Sequence, residues 1–106
     1  MTESEFNALV DESFELLQEA LDLCDDDLDW EDSGGVMTVT FDNGTSMVFS
    51  RQGATRQLWL AARSGGFHFE YDEAAKDWRD TREGHLFKPF VVQQMQEQAG
   101  VDLQWS

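Results

Sequence analysis

The sequence predicts an α+β fold, a two-layer α/β sandwich in which the N- and C-terminal helices pack on one face of an antiparallel sheet. Apolar residues recur at helical spacing near both ends of the chain, and the middle of the chain alternates apolar and polar residues in short segments. Turn sequences separate about six such segments, and connections this short make neighbouring strands antiparallel. The 106 residues suit one domain, residues 1–106.

The first helix is predicted over residues 4–24. Thr2 and Glu5 have the spacing of a capping box at its start. Apolar side chains at intervals of three and four form one stripe, which comprises Phe6, Leu9, Val10, Phe14, Leu17, Ala20, Leu21 and Cys24. The opposite face is acidic and has no Lys or Arg to form stabilising pairs, so it repels itself. Its acids are Asp11, Glu12, Glu15, Glu19, Asp22 and Asp26.

Six strands and a second helix follow. Residues 25–32 contain six acids, and Leu28 and Trp30 alternate with Asp29 and Glu31, which predicts a short edge strand with one buried face. Charges on such a strand also discourage aggregation through its open edge. Further strands are predicted over residues 36–41, 46–51, 57–62 and 67–71 and around Trp78. The second helix is predicted over residues 86–99, with Pro89 in its first turn and Gly100 at its end.

The strand alternation leaves one face of the sheet open to water. Leu58 and Leu60 point toward the helices, which places Gln57 and Trp59 on the outer face, and His68 joins them from the next strand. An outward Trp is typical of a contact site. A Trp covered by neighbouring side chains explains the pattern equally well.

The charge is concentrated in the first half of the chain. The sequence has 22 Asp and Glu against 7 Lys and Arg, a net charge of −15, and residues 1–50 hold fourteen of the acids and no basic residue. This asymmetry favours a cationic partner, either a metal ion or a basic protein surface, and disfavours nucleic acid.

The sequence also indicates in which cellular compartment the protein functions. The apolar runs are too short to cross a membrane, and the acidic residues 1–6 do not resemble a signal peptide. A single cysteine, Cys24, excludes an internal disulfide and fits a reducing cytoplasm.

The acidic segment suits hard cations that are held weakly and largely hydrated. An EF-hand interpretation of Asp25, Asp27 and Asp29 fails, because Trp30 stands where Gly is needed and Val36 where Glu is needed. The two histidines show no ligand spacing, which disfavours a closed zinc or iron cage. Fe³⁺ is a hard cation that fits such carboxylates, and Fe²⁺ could also bind them.

No motif for catalysis is present. Cys24 lies on the apolar stripe, as expected of a buried structural thiol, and the chain contains no phosphate loop, dinucleotide fingerprint or Ser–His–acid arrangement. We therefore predict that the protein is not an enzyme.

Several motifs occur together along the chain: Ser4-Glu5-Phe6, Gly34-Gly35-Val36, Asn43-Gly44, Gln57-Leu58-Trp59-Leu60-Ala61 and Gly65-Gly66-Phe67-His68-Phe69. In this combination they resemble the frataxin family, and most closely its bacterial, CyaY-type members. The most specific part is the glutamine followed two residues later by Trp-Leu-Ala, with Gly-Gly-aromatic-His-aromatic beyond it. The resemblance extends over essentially the whole chain.

The resemblance implies a role in iron–sulfur cluster assembly. Frataxins bind iron weakly through a carboxylate ridge on the first helix and first strand, and the matching metal positions are Glu19, Asp22, Asp25, Asp26, Asp27 and Asp29. Bacterial members contact the cysteine desulfurase through this ridge and the iron–sulfur scaffold protein through the sheet. The partner-binding residues so implied are Glu15, Glu19, Asp22, Gln57, Trp59 and His68. Gln18 and Leu23 stand where many bacterial members have further acids.

The leading interpretation is thus a non-catalytic, iron-binding adaptor that regulates cluster assembly and is a monomer without iron. A ferroxidase or iron-storage protein that forms iron-dependent oligomers is the alternative, although copies of such charge repel one another unless cations screen them. A mimic of nucleic acid that occupies a basic protein groove is a third interpretation, which the frataxin-like motifs disfavour.

Overall fold

Two helices bracket six strands in the predicted order. The computed structural model describes residues 1–105. Its elements are α1 (Glu3–Asp22), β1 (Leu28–Ser33), β2 (Val36–Phe41), β3 (Ser46–Gln52), β4 (Gln57–Ala62), β5 (Gly65–Asp72), β6 (Asp77–Asp80) and α2 (Phe87–Ala99).

The strands form one antiparallel sheet in chain order, from β1 at one edge to β6 at the other. Beyond β6, the backbone N–H of Asp80 donates to the His85 carbonyl at 2.8 Å, and Arg79 forms a bridge with Leu86. The segment that leads into α2 therefore covers part of this edge, whereas β1 carries its own row of acids.

The capping box at the start of α1 is confirmed. The Glu5 backbone N–H donates to the Thr2 hydroxyl, and the Thr2 backbone N–H donates to the Glu5 carboxylate, each at 3.1 Å. These bonds, the one from the Thr2 backbone above all, hold the pKa of Glu5 below its usual range.

The end of α1 differs from the prediction by two residues, because the helix stops at Asp22 and Leu23 is its C-cap. The last turn has no basic residue, and three consecutive aspartates follow Cys24. Negative charge is unfavourable at the negative end of the helix dipole, which explains why the chain leaves the helix there.

α2 begins at Phe87 with no side-chain cap from its N-cap residue, Leu86. The carboxylate of Asp77 in β6 takes that role, since it accepts the backbone N–H of Lys88 at 3.1 Å. Asp77 is buried, and this burial raises its pKa above the usual value. The helix ends as predicted, at Gly100, which has a φ of 67°.

The core lies between the helices and one face of the sheet. Buried side chains from both helices meet Met37, Phe49, Leu58, Leu60 and other inward residues of the sheet. Phe69 and Phe87 pack edge to face with ring centroids 5.2 Å apart, and Phe6 and Trp78 do so at 5.8 Å. The outer face of the sheet lacks such a layer in the described part of the chain, so the two-layer α+β prediction is confirmed.

Neither α1 nor α2, the two helices described, combines the length and apolar character that a membrane span requires.

Candidate functional site

We define the acidic ridge as the exposed carboxylates of α1, the following loop and β1: Glu15, Glu19, Asp22, Asp25, Asp26, Asp27 and Asp29. Two side-chain hydrogen bonds join α1 to the edge strand beneath it. Trp30 Nε1 donates to Asp22 at 2.9 Å, and Gln18 Nε2 donates to Asp32 at 3.1 Å. These contacts hold the C-terminal half of α1, which carries Glu19 and Asp22, against β1.

Asp29 is the member of the ridge that stands apart. Its neighbours Leu28 and Trp30 pack against the core, so Asp29 points to the outer face of the sheet. There it lines a hollow of about 130 Å³ with Thr38 and Thr40 of β2.

The ridge is a row of separate carboxylates. Among residues 1–105, no three His, Cys, Asp or Glu side chains converge in a way that would hold a metal ion. The assignment of individual metal ligands within the ridge stays a prediction. Exposed carboxylate oxygens are nevertheless the donors that hard cations prefer.

Asp26 has a structural contact that the sequence did not indicate. Its carboxylate accepts the backbone N–H of Asp102 at 3.0 Å, from a residue 76 positions away, and also the Cys24 thiol at 3.6 Å. The C-terminal segment is thereby tied to the ridge, and its Leu103 is buried in the core. Asp26 therefore stabilises the fold through this contact, in addition to repelling the neighbouring acids.

We expect Asp26→Ala to lower the free energy of unfolding by about 1 kcal/mol, because the Asp102 N–H loses its partner. Asp27→Ala is the matched control: it removes the same charge from the adjacent exposed residue, and we expect it to leave stability unchanged or slightly raised. Urea denaturation measures both. Equal stability of the two variants would show that the contact to Asp102 contributes nothing.

Cys24 has the properties expected of a structural thiol. It is partly buried against the core, and burial raises the pKa of the thiol above its usual value. The protonated form is a poor nucleophile.

The acidic face of α1 has a basic neighbour that is distant in the sequence. Arg51 of β3 donates to Asp11 at 2.6 Å and to Asn7 at 3.1 Å, and its guanidinium lies 5.7 Å from the Phe14 ring centre. Arg51 thus neutralises the charge of Asp11, at the N-terminal end of the acidic face. The partner comes from another layer of the fold, so helical spacing alone could not reveal it.

Trp59 lies on the outer face as predicted, but its indole is half covered. It stacks on the His68 ring with centroids 4.4 Å apart and planes 10° from parallel. Its Nε1 donates to Gln57 at 3.1 Å, and the Gln57 amide donates to Glu70 at 3.4 Å. We call Gln57, Trp59 and His68 the tryptophan face. The structure brings these predicted partner-binding residues together, and their role in binding stays a prediction.

A family model described as a frataxin-like domain matches residues 1–101 of the chain. The chain belongs to the frataxin family. Among the curated relatives of this frataxin, the iron–sulfur cluster assembly protein CyaY of Pseudomonas fluorescens is 45% identical over 105 residues, which are 99% of this chain and 96% of the relative. The protein of the same name from Pseudomonas syringae pv. syringae is also 45% identical, over 100% of this chain and 96% of its own length.

Solved frataxin structures support the same assignment. The frataxin of Psychromonas ingrahamii matches with a TM-score of 0.93 and 28% identity, over 100% of this chain and 99% of that chain. Trimeric frataxin from Saccharomyces cerevisiae, complexed with ferrous iron, matches with a TM-score of 0.61 and 26% identity, over 94% and 88% of the two chains.

Proposed function

We propose that this frataxin is a non-catalytic, iron-binding adaptor that regulates iron–sulfur cluster assembly in the cytoplasm. Relatives that align over nearly the whole chain bear the name of iron–sulfur cluster assembly proteins. The observation that carries the proposal is the acidic ridge, a set of exposed carboxylates on α1, the loop and β1. Such a surface suits a cation as cargo and a basic protein as partner.

Iron is proposed to bind the ridge weakly. Neighbouring carboxylates of like charge repel each other, and a cation held between them relieves this repulsion. Because the donors do not converge into a cage, the ion keeps much of its water. Glu19, Asp22, Asp25 and Asp27 are the proposed donors.

We expect Fe²⁺, Fe³⁺ and other hard cations to raise the melting temperature, with weak discrimination among them, because each relieves repulsion along the ridge. Thermal melts at matched ionic strength separate binding from general screening. A Glu19→Gln, Asp25→Asn variant serves as the control, and its melting temperature should respond less. An unchanged melting temperature of the wild type at saturating cation would rule out the proposed iron site.

The ridge is also the proposed contact for the cysteine desulfurase, through Glu15, Glu19 and Asp22, and the tryptophan face is the proposed contact for the scaffold protein. A pull-down of purified desulfurase and scaffold, with and without iron, tests the adaptor function directly. Absence of both partners from the pull-down at low salt would contradict it.

Storage of iron in oligomers is the second candidate, because the yeast frataxin that matches this fold is trimeric and complexed with ferrous iron. Sedimentation after addition of Fe²⁺ in air, with oxygen consumption followed in parallel, distinguishes the two functions. A chain that stays monomeric and consumes no oxygen catalytically supports the adaptor. Iron-dependent oligomers with catalytic turnover of oxygen support storage.

A further inference from the structure

Leu23 is the most exposed large apolar residue in the described part of the chain. Its relative exposure is 84%, whereas Met1 and Val36 reach 53% and 39%, and Leu21 two positions earlier is 3% exposed. Its backbone is held in place, because its N–H donates to the Glu19 carbonyl at 3.2 Å. The end of the helix therefore presents this side chain to solvent from a backbone position that is held by a hydrogen bond.

The surroundings of Leu23 are acidic. Asp22 precedes it and Asp25 follows two residues later. Leu23 also lines a cleft of about 350 Å³ whose other walls include Ala20, Cys24, Asp26 and Asp102. One apolar side chain thus projects from within the acidic ridge, next to a concave surface.

We propose that Leu23 is the apolar anchor through which the acidic ridge binds a basic protein surface, an inference that rests on the proposed function. A basic protein is the partner that charge complementarity favours. A second copy of the chain would bring the same acidic ridge and a net charge of −15, so the two copies would repel each other. Basic side chains of the partner face the carboxylates, and its apolar side chains pack over Leu23.

The two kinds of contact have different physical signatures. Attraction between exposed charges steers association and weakens as salt shortens the Debye length. Burial of the Leu23 side chain removes apolar area from water, slows dissociation and does not depend on screening. The anchor therefore supplies the part of the affinity that survives at high salt.

Leu23→Asn and Leu23→Asp test the anchor against the cysteine desulfurase, with dissociation constants measured from about 50 to about 500 mM NaCl. Leu23→Asn keeps the size and neutrality of the side chain but removes its apolar surface. We expect about tenfold weaker binding for both variants, with an unchanged salt slope for Leu23→Asn. If charge alone governed the contact, Leu23→Asp would instead bind more tightly than the wild type at low salt.

Val36→Ala, which shortens an exposed apolar side chain on the sheet, is the matched control and should bind as the wild type does. Melting temperatures of all variants verify the fold. Wild-type affinity in both Leu23 variants, or tighter binding of Leu23→Asp, overturns the anchor and leaves the proposed function standing. A wild-type protein that does not bind the desulfurase at low salt overturns both.

Discussion

Replacing Glu19 and Asp25 together with lysine is expected to abolish binding to the cysteine desulfurase while leaving the fold intact. Both side chains are exposed, and neither carboxylate accepts a hydrogen bond from residues 1–105. Lysine near the C-terminal end of α1 also complements the helix dipole, by about 0.3–1 kcal/mol for each residue. We expect a dissociation constant at least about a hundredfold higher at low salt, measured by titration calorimetry.

Asp22 is left unchanged in this variant because it accepts the Trp30 indole N–H, so its loss would disturb the packing of β1 on α1. The control reverses Glu73 and Glu83, two exposed acids outside the ridge, and alters the net charge by the same amount. Normal binding of the control, together with loss in the ridge variant, locates the contact. If both variants lost affinity equally, net charge rather than the ridge would govern the interaction.

Trp59→Ala is expected to weaken binding to the scaffold protein by about thirtyfold or more, with little dependence on salt. The substitution removes the largest side chain of the tryptophan face, leaves the His68 ring without its stacking partner and takes away the indole N–H that donates to the Gln57 side-chain oxygen. Because the lost contact is mainly apolar area, ionic strength should have a minor influence. Calorimetric titration of the scaffold at two salt concentrations measures both effects.

Trp105→Ala is the matched control, because Trp105 is also partly buried but packs on Phe87 in the helical layer. It should retain scaffold binding even if its melting temperature falls. The converse pattern would contradict our assignment. If the Trp59→Ala variant failed to bind the desulfurase while the ridge variant still bound it, the principal desulfurase site would be the tryptophan face.

The strands could be predicted closely because alternation and turn residues are local signals. β2 and β4 have the predicted bounds, and the others differ by a few residues. Contacts between distant parts of the chain carry no such signal. The Arg51–Asp11 pair joins β3 to α1, and the Asp26–Asp102 bond joins the ridge to the C-terminal segment, so both required the folded structure.

The environment of Trp59 likewise depends on pairing between strands. Alternation places the side chain on the outer face, and this is confirmed. Only the register between β4 and β5, which sets Trp59 opposite His68, explains why the indole is half covered. The Trp59 side chain therefore lies on the outer face and is also partly covered by His68.

The order of strands in the sheet has a consequence for how the chain reaches this structure. Every strand pairs with its neighbour in sequence, and no connection between strands exceeds four residues, so the sheet closes only short loops. The bond from Trp78 to Ser13 spans 65 residues, and closing that loop costs about 2.5 kcal/mol more conformational entropy than closing a loop of about four. Loop closure therefore costs the most entropy where the first helix, which carries Glu15, Glu19 and Asp22 of the ridge, contacts the far edge of the sheet.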